Sequence, residues 1–413
     1  MNNRMTGQRV FSVLGLMAAA FSASMTDVQS ADWRQFRGTA TNSVAVGESL
    51  PTELSREMIN WEVELPGRGL SGPIIVDGQV VITASSGYSD DRLHIISMDA
   101  STGQQQWARQ FAATGRTSAH PKMCMATPTP ASDGKRIFAM YSSNDFICTD
   151  MNGNLQWYRG LGEEFPNASN SLGMSSSPIV MGNTVIAQVE SDAEAFVIGV
   201  DVVSGETKWR LDRHRKSNWT SPTVLPTDGN RPALVLLQSF AGITAVNPEI
   251  GAELWTYGDG ASTVPSATVS DGQIIVPSNG LTILQPSVDG ASYEMVRNVK
   301  NAKPATASPI VLGGMMFSMN GSGVLSAASV HTGNRLWQLR LHGRFSSTPV
   351  VANGHLYCFS EKGMATVVRP TEDDGTIVSQ LDMTETILCS PAVANDALYV
   401  RSDGHLWKLS GQN

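Results

Sequence analysis

The sequence predicts an all-β chain folded as an eight-bladed β-propeller closed by its own N-terminal strand, and three observations carry that prediction. The first is a turn that repeats. Asp99-Ala100-Ser101-Thr102-Gly103-Gln104-Gln105-Gln106-Trp107 sets a glycine four residues before a tryptophan, and the spacing recurs as Gly153/Trp157, Gly205/Trp209, Gly251/Trp255 and Gly333/Trp337. Glycine supplies the positive φ of a tight hairpin turn, and the fixed spacing puts every tryptophan on the same side of its strand. The second is a small residue and proline followed by an apolar run, a turn and another apolar run, with prolines at Pro73, Pro128, Pro178, Pro222, Pro265, Pro309, Pro349 and Pro391. Their spacing of 40 to 55 residues suits one four-stranded blade per unit, which gives eight units. The third is a pair of incomplete ends: Trp61 has no strands of its own before it, and the last unit has strands but no tryptophan hairpin.

At the N-terminus, Arg4 and Arg9 precede an apolar run from Val10 to Ala23 and then small and polar residues up to Ala31. Fourteen residues fall short of the ~20 that span a bilayer, so residues 1–30 read as a signal peptide cut after Ser30, with Ser24 as the alternative cut and a retained anchor as the rival reading. No later stretch is apolar enough to span a membrane. Residues 31–57 form an N-terminal extension opening on Asp32-Trp33-Arg34-Gln35-Phe36-Arg37-Gly38. The propeller occupies 58–413.

Its first strand, Ile59-Asn60-Trp61-Glu62-Val63-Glu64-Leu65, is expected to complete the eighth unit, whose strands are Ala392–Val393, Ala397–Arg401 and His405–Leu409. That pairing removes the exposed edges of an open array. Within units, runs such as Val80-Val81-Ile82 and Ile274-Ile275-Val276 are more continuous than the alternation of a half-exposed sheet, as blades packed face to face require. Trp61, Trp107, Trp157, Trp209, Trp255 and Trp337 are expected to dock each blade on the next, against Gly103, Gly153, Gly205, Gly251 and Gly333. The fifth unit, from Ser266 to Val299, lacks the glycine-to-tryptophan spacing, and the seventh has Asp373-Asp374-Gly375-Thr376-Ile377 in its place. Both read as degenerate blades, which leaves a seven-bladed count open.

The repeats resemble the pyrroloquinoline-quinone-like (PQQ-like) β-propeller proteins, whose blades carry an A-x-D-x-x-T-G-x-x-x-W docking motif. The resemblance covers residues 58–413. Trp33-Arg34-Gln35-Phe36-Arg37-Gly38 and Ala126-Thr127-Pro128-Thr129-Pro130 are further similar to a secreted branch from planctomycete-type bacteria. No tryptophan is followed by aspartate, as WD40 blades require, and a glycine doublet occurs once, at Gly313–Gly314, against kelch. The wider family holds quinoprotein alcohol dehydrogenases and a non-catalytic outer-membrane assembly factor, and fold alone does not choose between them. The dehydrogenase resemblance implies adjacent cysteines beside the quinone, calcium held by a glutamate and an asparagine, and an aspartate base. No cysteines are adjacent here, and no acid matches the base. The assembly factor's relatives are lipoproteins anchored through a cysteine, and none lies near the expected cut.

A net charge of −8 argues against a nucleic-acid or anionic-membrane surface. Cys124 with Cys148 and Cys358 with Cys389 are the easiest disulfide pairs, with buried free thiols as the alternative. The paired acids Asp90–Asp91, Glu163–Glu164 and Asp373–Asp374 lie in turn-like contexts, and the seven histidines show no metal-ligand spacing. Gly-x-Ser-x-Gly, Walker, His-Glu-x-x-His and kinase motifs are missing. One positional feature points to a site. Arg68, Lys122, Lys216, Trp219, Lys303 and Arg344 precede the blade prolines by three to six residues, at the segment that lines the channel mouth, with Glu385 as the opposing charge. A ring of cations at a concave mouth concentrates anions. The sequence therefore predicts an exported, non-catalytic binding or scaffolding propeller without cofactor or metal. Its ligand is expected to be an anionic small molecule, an anionic glycan or a protein partner. The rivals are a PQQ- and calcium-dependent oxidoreductase and a polysaccharide hydrolase or lyase.

Overall fold

Among the described residues, continuous apolar runs separated by glycine turns give 33 strands in eight sheets, each a blade of an eight-bladed propeller. The computed structural model describes Met1 and residues 32–411, so the signal-peptide reading of residues 1–30 lies outside the described residues. Blade 1 shows the plan: Ile74–Val76 innermost, then Gln79–Ser86, Arg92–Asp99 and Gln105–Ala112, all antiparallel neighbours. Val80, Val81 and Ile82 are completely buried, because both faces of the second strand pack on neighbouring blades. The fifth and seventh units keep all four strands, which excludes the seven-bladed count. Blade 8 is built from both chain ends, with Ile59–Glu64 pairing antiparallel to His405–Ser410. Among the described residues no helix is long and apolar enough to cross a membrane.

The tryptophans dock blade to blade as their spacing predicts. Each indole Nε1 donates to a turn carbonyl of the following blade: Trp61 to Ala100, Trp107 to Met151, Trp157 to Val202, Trp209 to Pro248, Trp255 to Gly290 and Trp337 to Thr371. Gly205 shows why the turn needs glycine. Its φ is 75°, and a Cβ there would lie 2.7 Å from the Trp157 ring. A β-bulge at the turn end of every outer strand re-aims the residue that follows, and it persists in the blades without tryptophan. Blade 5 puts Arg297 at that position, packed on Gly333 of blade 6. Blade 7 puts Ser379 there. The hairpin on which its tryptophan would dock does not exist, because blade 8 joins two chain ends at that place. The N-terminal extension fills the gap: Leu50 and Leu54 are buried, Leu54 N–H donates to Ser379 Oγ at 3.0 Å, and Ser379 Oγ–H donates to Thr52 O at 2.7 Å.

The four cysteines are buried free thiols, which corrects the disulfide pairing. Cys124 packs in the layer between blades 1 and 2 and Cys148 in the layer between blades 2 and 3, so the two lie on opposite faces of blade 2. Cys358 packs between blades 6 and 7, while Cys389 reaches the central channel and donates to Arg401 O at 3.0 Å. Burial raises all four thiols, Cys389 to about 11 and Cys358 to about 12.

Candidate functional site

Eight innermost strands converge on one channel, and the chain closes one end of it with its own N-terminal extension. Trp33 pairs antiparallel with Ile75 of blade 1, and Ser132 of blade 2 donates to Arg34 O at 2.8 Å. Val180 N–H of blade 3 donates to Gln35 Oε1 at 3.0 Å, and Val224 N–H of blade 4 to Thr41 Oγ1 at 2.9 Å. Arg37 donates to Ala267 O of blade 5 at 2.8 Å and Pro309 O of blade 6 at 3.2 Å. Val44–Ala45 pairs in parallel with the innermost strand of blade 7, and Glu48 accepts from Asp396 N–H of blade 8. Short innermost strands leave backbone polar groups facing the axis, and residues 32–48 meet them around the circle, accepting N–H groups of blades 1 to 4, 7 and 8 and donating from Arg37 to carbonyls of blades 5 and 6. The extension is thus a plug touching every blade.

Above the plug lies a blind well of about 410 Å³, with Phe36 among its lining residues. Its wall carries a ring of hydroxyls. Gly72 N–H donates to Thr129 Oγ1 at 2.9 Å, Thr129 N–H to Ser177 Oγ at 3.0 Å, and Ser177 N–H to Ser221 Oγ at 2.9 Å. The series continues through Ser266, Ser308, Thr348 and Ser390 with distances of 2.9 to 3.0 Å. These residues precede Pro130, Pro178, Pro222, Ala267, Pro309, Pro349 and Pro391, which corrects the repeat register in two units: Pro128 and Pro265 lie two residues ahead of it. Gly72 is the ring's one member without a hydroxyl, because a Cβ there would lie 2.8 Å from Ser390 O.

The six residues singled out at the mouth separate in the structure. Lys122 and Trp219 line the well. Lys122 Nζ is 2.7 Å from Glu361, whose burial opposes its charge but whose hydrogen bonds from Lys122 and Ser346 hold its pKa below the ordinary range. Trp219 Nε1 donates to Gly173 O at 2.9 Å, which fixes the indole. Arg68 lies in an adjoining groove with Tyr88, Asp90 and Arg116, where it pairs with Asp403 at 3.3 Å and donates to Pro121 O and Met123 O. Lys216 is exposed and 3.5 Å from Asp192. Lys303 and Arg344 are exposed and outside the well's lining. Three of the five cations therefore have carboxylate partners, and Glu385 is occupied by His405 Nδ1 at 2.6 Å.

Two other arginines stand close to the well without carboxylate partners. Arg37 is fully buried one residue below the hydroxyl ring, and burial lowers its pKa to about 9, which leaves it charged at neutral pH. Arg401 is fully buried behind Ser71, donating through Nη1 to Ser71 Oγ at 2.6 Å and Thr83 O at 2.6 Å. Its Nε and Nη2 have no partner among the described residues, and burial lowers its pKa as well. Sequence reasoning missed both. Arg401 sits at the end of an apolar strand with no local signal, whereas the Ser/Thr-Pro repeat of the ring was readable.

Comparison with known proteins places this geometry. The sequence profile of a family described as outer membrane protein assembly factor BamB matches residues 52–187, 112–276 and 294–413. The chain belongs to this PQQ-like propeller family. No curated protein sequence matches it. Among solved structures, BamB from Moraxella catarrhalis aligns with a TM-score of 0.63 at 18% identity, over 86% of this chain and 98% of that one. A europium-containing methanol dehydrogenase gives 0.68 at 12% identity over 92% and 98%. The quinohemoprotein alcohol dehydrogenase from Comamonas testosteroni gives 0.69 at 13% over 93% and 81%. Such identities show a shared fold, and an assembly factor and dehydrogenases share it.

The residues around the well do not fit a calcium-held quinone. No carboxylate lines it, and no three His, Cys, Asp or Glu side chains come together among the described residues. Cys389, the thiol in its wall, has no cysteine neighbour in sequence. Glycoside hydrolases commonly work with a pair of carboxylates, and none is among the residues lining the well. His120 lines the well, but its Nδ1 accepts from Lys122 N–H at 3.1 Å.

Proposed function

We propose that the protein is an exported, non-catalytic binding propeller whose site is the blind well. The observation that carries this reading is the well's composition: hydroxyls, one fixed indole and apolar side chains, with Lys122 and His120 toward the mouth, Cys389 in the wall and no carboxylate among the lining residues. A plugged channel also admits a ligand from one side only, as a receptor does and a conduit does not. The family's assembly-factor members suit a protein partner. The donor-rich lining suits an anionic group on that partner or on a small molecule.

The test is calorimetric titration of the purified protein with anionic glycans and acidic peptides, and separately with pyrroloquinoline quinone plus calcium. Saturable binding that disappears in Trp219→Ala, without turnover, is the expected result. Calcium-dependent quinone binding with quinone-dependent dye reduction would overturn the proposal in favour of an oxidoreductase.

A further inference from the structure

We infer that the well takes the carboxylate of an apolar-ended ligand, either the C-terminus of a peptide or a free organic acid. The inference rests on the well being the binding site and names what it binds. Three independent features converge on it.

The ring hydroxyls are donors in waiting. Each accepts a backbone N–H from the preceding blade, and among the described residues none gives its own proton to a protein acceptor. Seven O–H groups are therefore left to donate into the lumen, a pattern that suits an acceptor-only group such as a carboxylate.

The second feature is charge. Arg37 below the ring and Arg401 behind Ser71 are completely buried, and among the described residues neither is ion-paired with an acid. Away from water their fields are weakly screened, and no carboxylate lines the lumen, so the two guanidiniums favour an anion there; Asp403, whose charge reaches Arg401, is itself paired with Arg68. Unpaired Nε and Nη2 of Arg401 mark the same deficit of negative charge. A neutral sugar would use the hydroxyls but not this field.

The third is shape and polarity. Leu172 and Val264 are 46% and 41% exposed at the mouth beside the Trp219 indole, and Leu70, Leu388 and Phe36 complete an apolar lining. A cavity of about 410 Å³ has room for a carboxylate and one large side chain. An anion without an apolar neighbour would leave that surface wet.

The experiment titrates the full mature protein with a tetrapeptide ending in phenylalanine as the free acid, the same peptide amidated, 4-phenylbutyrate and a neutral oligosaccharide. Trp219→Ala and a Ser221→Ala/Ser266→Ala double variant, with melting curves to check folding, run alongside. Saturable binding of the free-acid peptide, weakened at least tenfold by amidation and by either variant, is expected. Equal binding of phenylbutyrate also supports the carboxylate and assigns the source to free acids. If amidated and free peptides bind alike, the inference is wrong. If only the neutral oligosaccharide binds, and Trp219→Ala abolishes it, the inference falls while the binding reading stands. Silence from every ligand in a folded protein overturns the inference, and loss of both readings follows only if acidic proteins and glycans also fail.

Discussion

Replacing Trp209 by alanine measures what one docking residue contributes. The ring is buried to 7% exposure between blades 3 and 4, its Nε1 donates to Pro248 O at 2.9 Å, and Gly251 packs against its face. Truncating a buried tryptophan to alanine costs about 4 kcal/mol, the orphaned carbonyl included. With unfolding entropy near ~2.1 cal/mol/K per residue, a chain of this size has roughly 0.8 kcal/mol/K at its midpoint, so the loss corresponds to about 5 °C in Tm. The control is Arg297→Ala, at the same register position of blade 5, where a half-buried arginine stands in for the indole. That change should cost about 1 kcal/mol or less. Scanning calorimetry of both variants decides the matter. A Trp209→Ala protein melting within a degree of the parent, or an Arg297→Ala protein equally damaged, would refute the claim that the tryptophans hold the blades together.

Other outcomes are equally specific. Gly72→Ser, which would add the eighth hydroxyl to the ring in sequence, should destabilise by about 1–3 kcal/mol, because its Cβ meets Ser390 O at 2.8 Å; a higher Tm would contradict the packing argument. Thiol titration should find four reactive cysteines in denaturant and essentially none in the native protein, whereas two or fewer in denaturant without reductant would restore a disulfide. Asp99 has its pKa lowered to about 2, chiefly by the Ser101 hydroxyl and then by the Thr102 N–H. A depressed folded pKa means that its contribution is complete above the unfolded value of about 4 and is lost as pH falls toward 2. Asp99→Asn should therefore lower stability at neutral pH and narrow the gap to the parent below pH 3, and a constant gap would count against the turn hydrogen bonds. Leu54→Ala should lower Tm by a few degrees although Leu54 belongs to no blade, since it fills the layer beside Ser379.

Much of this architecture was written locally. The glycine-to-tryptophan turn needs only a positive φ and a fixed count of residues to its bulge, so five hairpins could be read without knowing what they touched. The closing strand at Trp61 was equally legible, because a lone tryptophan strand at one end and a lone three-strand unit at the other have one economical pairing. Even the degenerate seventh blade follows from that closure. A blade joined from two chain ends offers no turn on which a preceding tryptophan could dock.

The site was less legible, and the reason is convergence. Cations before the blade prolines looked like a ring because sequence shows position along each blade but not what lies across the mouth. Asp403, Glu361 and Asp192 come from distant turns to meet Arg68, Lys122 and Lys216. Trp219 and Lys122 reached the well as expected, while Arg37 and Arg401 acquired their importance from burial that no neighbouring residue announces. The sequence by itself determined the repeat, the docking turns and the closure, since each rests on local turn chemistry repeated at a fixed period, while the count of eight blades over seven was decided by the four strands that the two degenerate units keep. Only the tertiary structure decided that residues 32–48 plug the channel, that seven hydroxyls form a ring and that two arginines are left without acids, because each of those facts depends on contributions from many blades meeting on one axis.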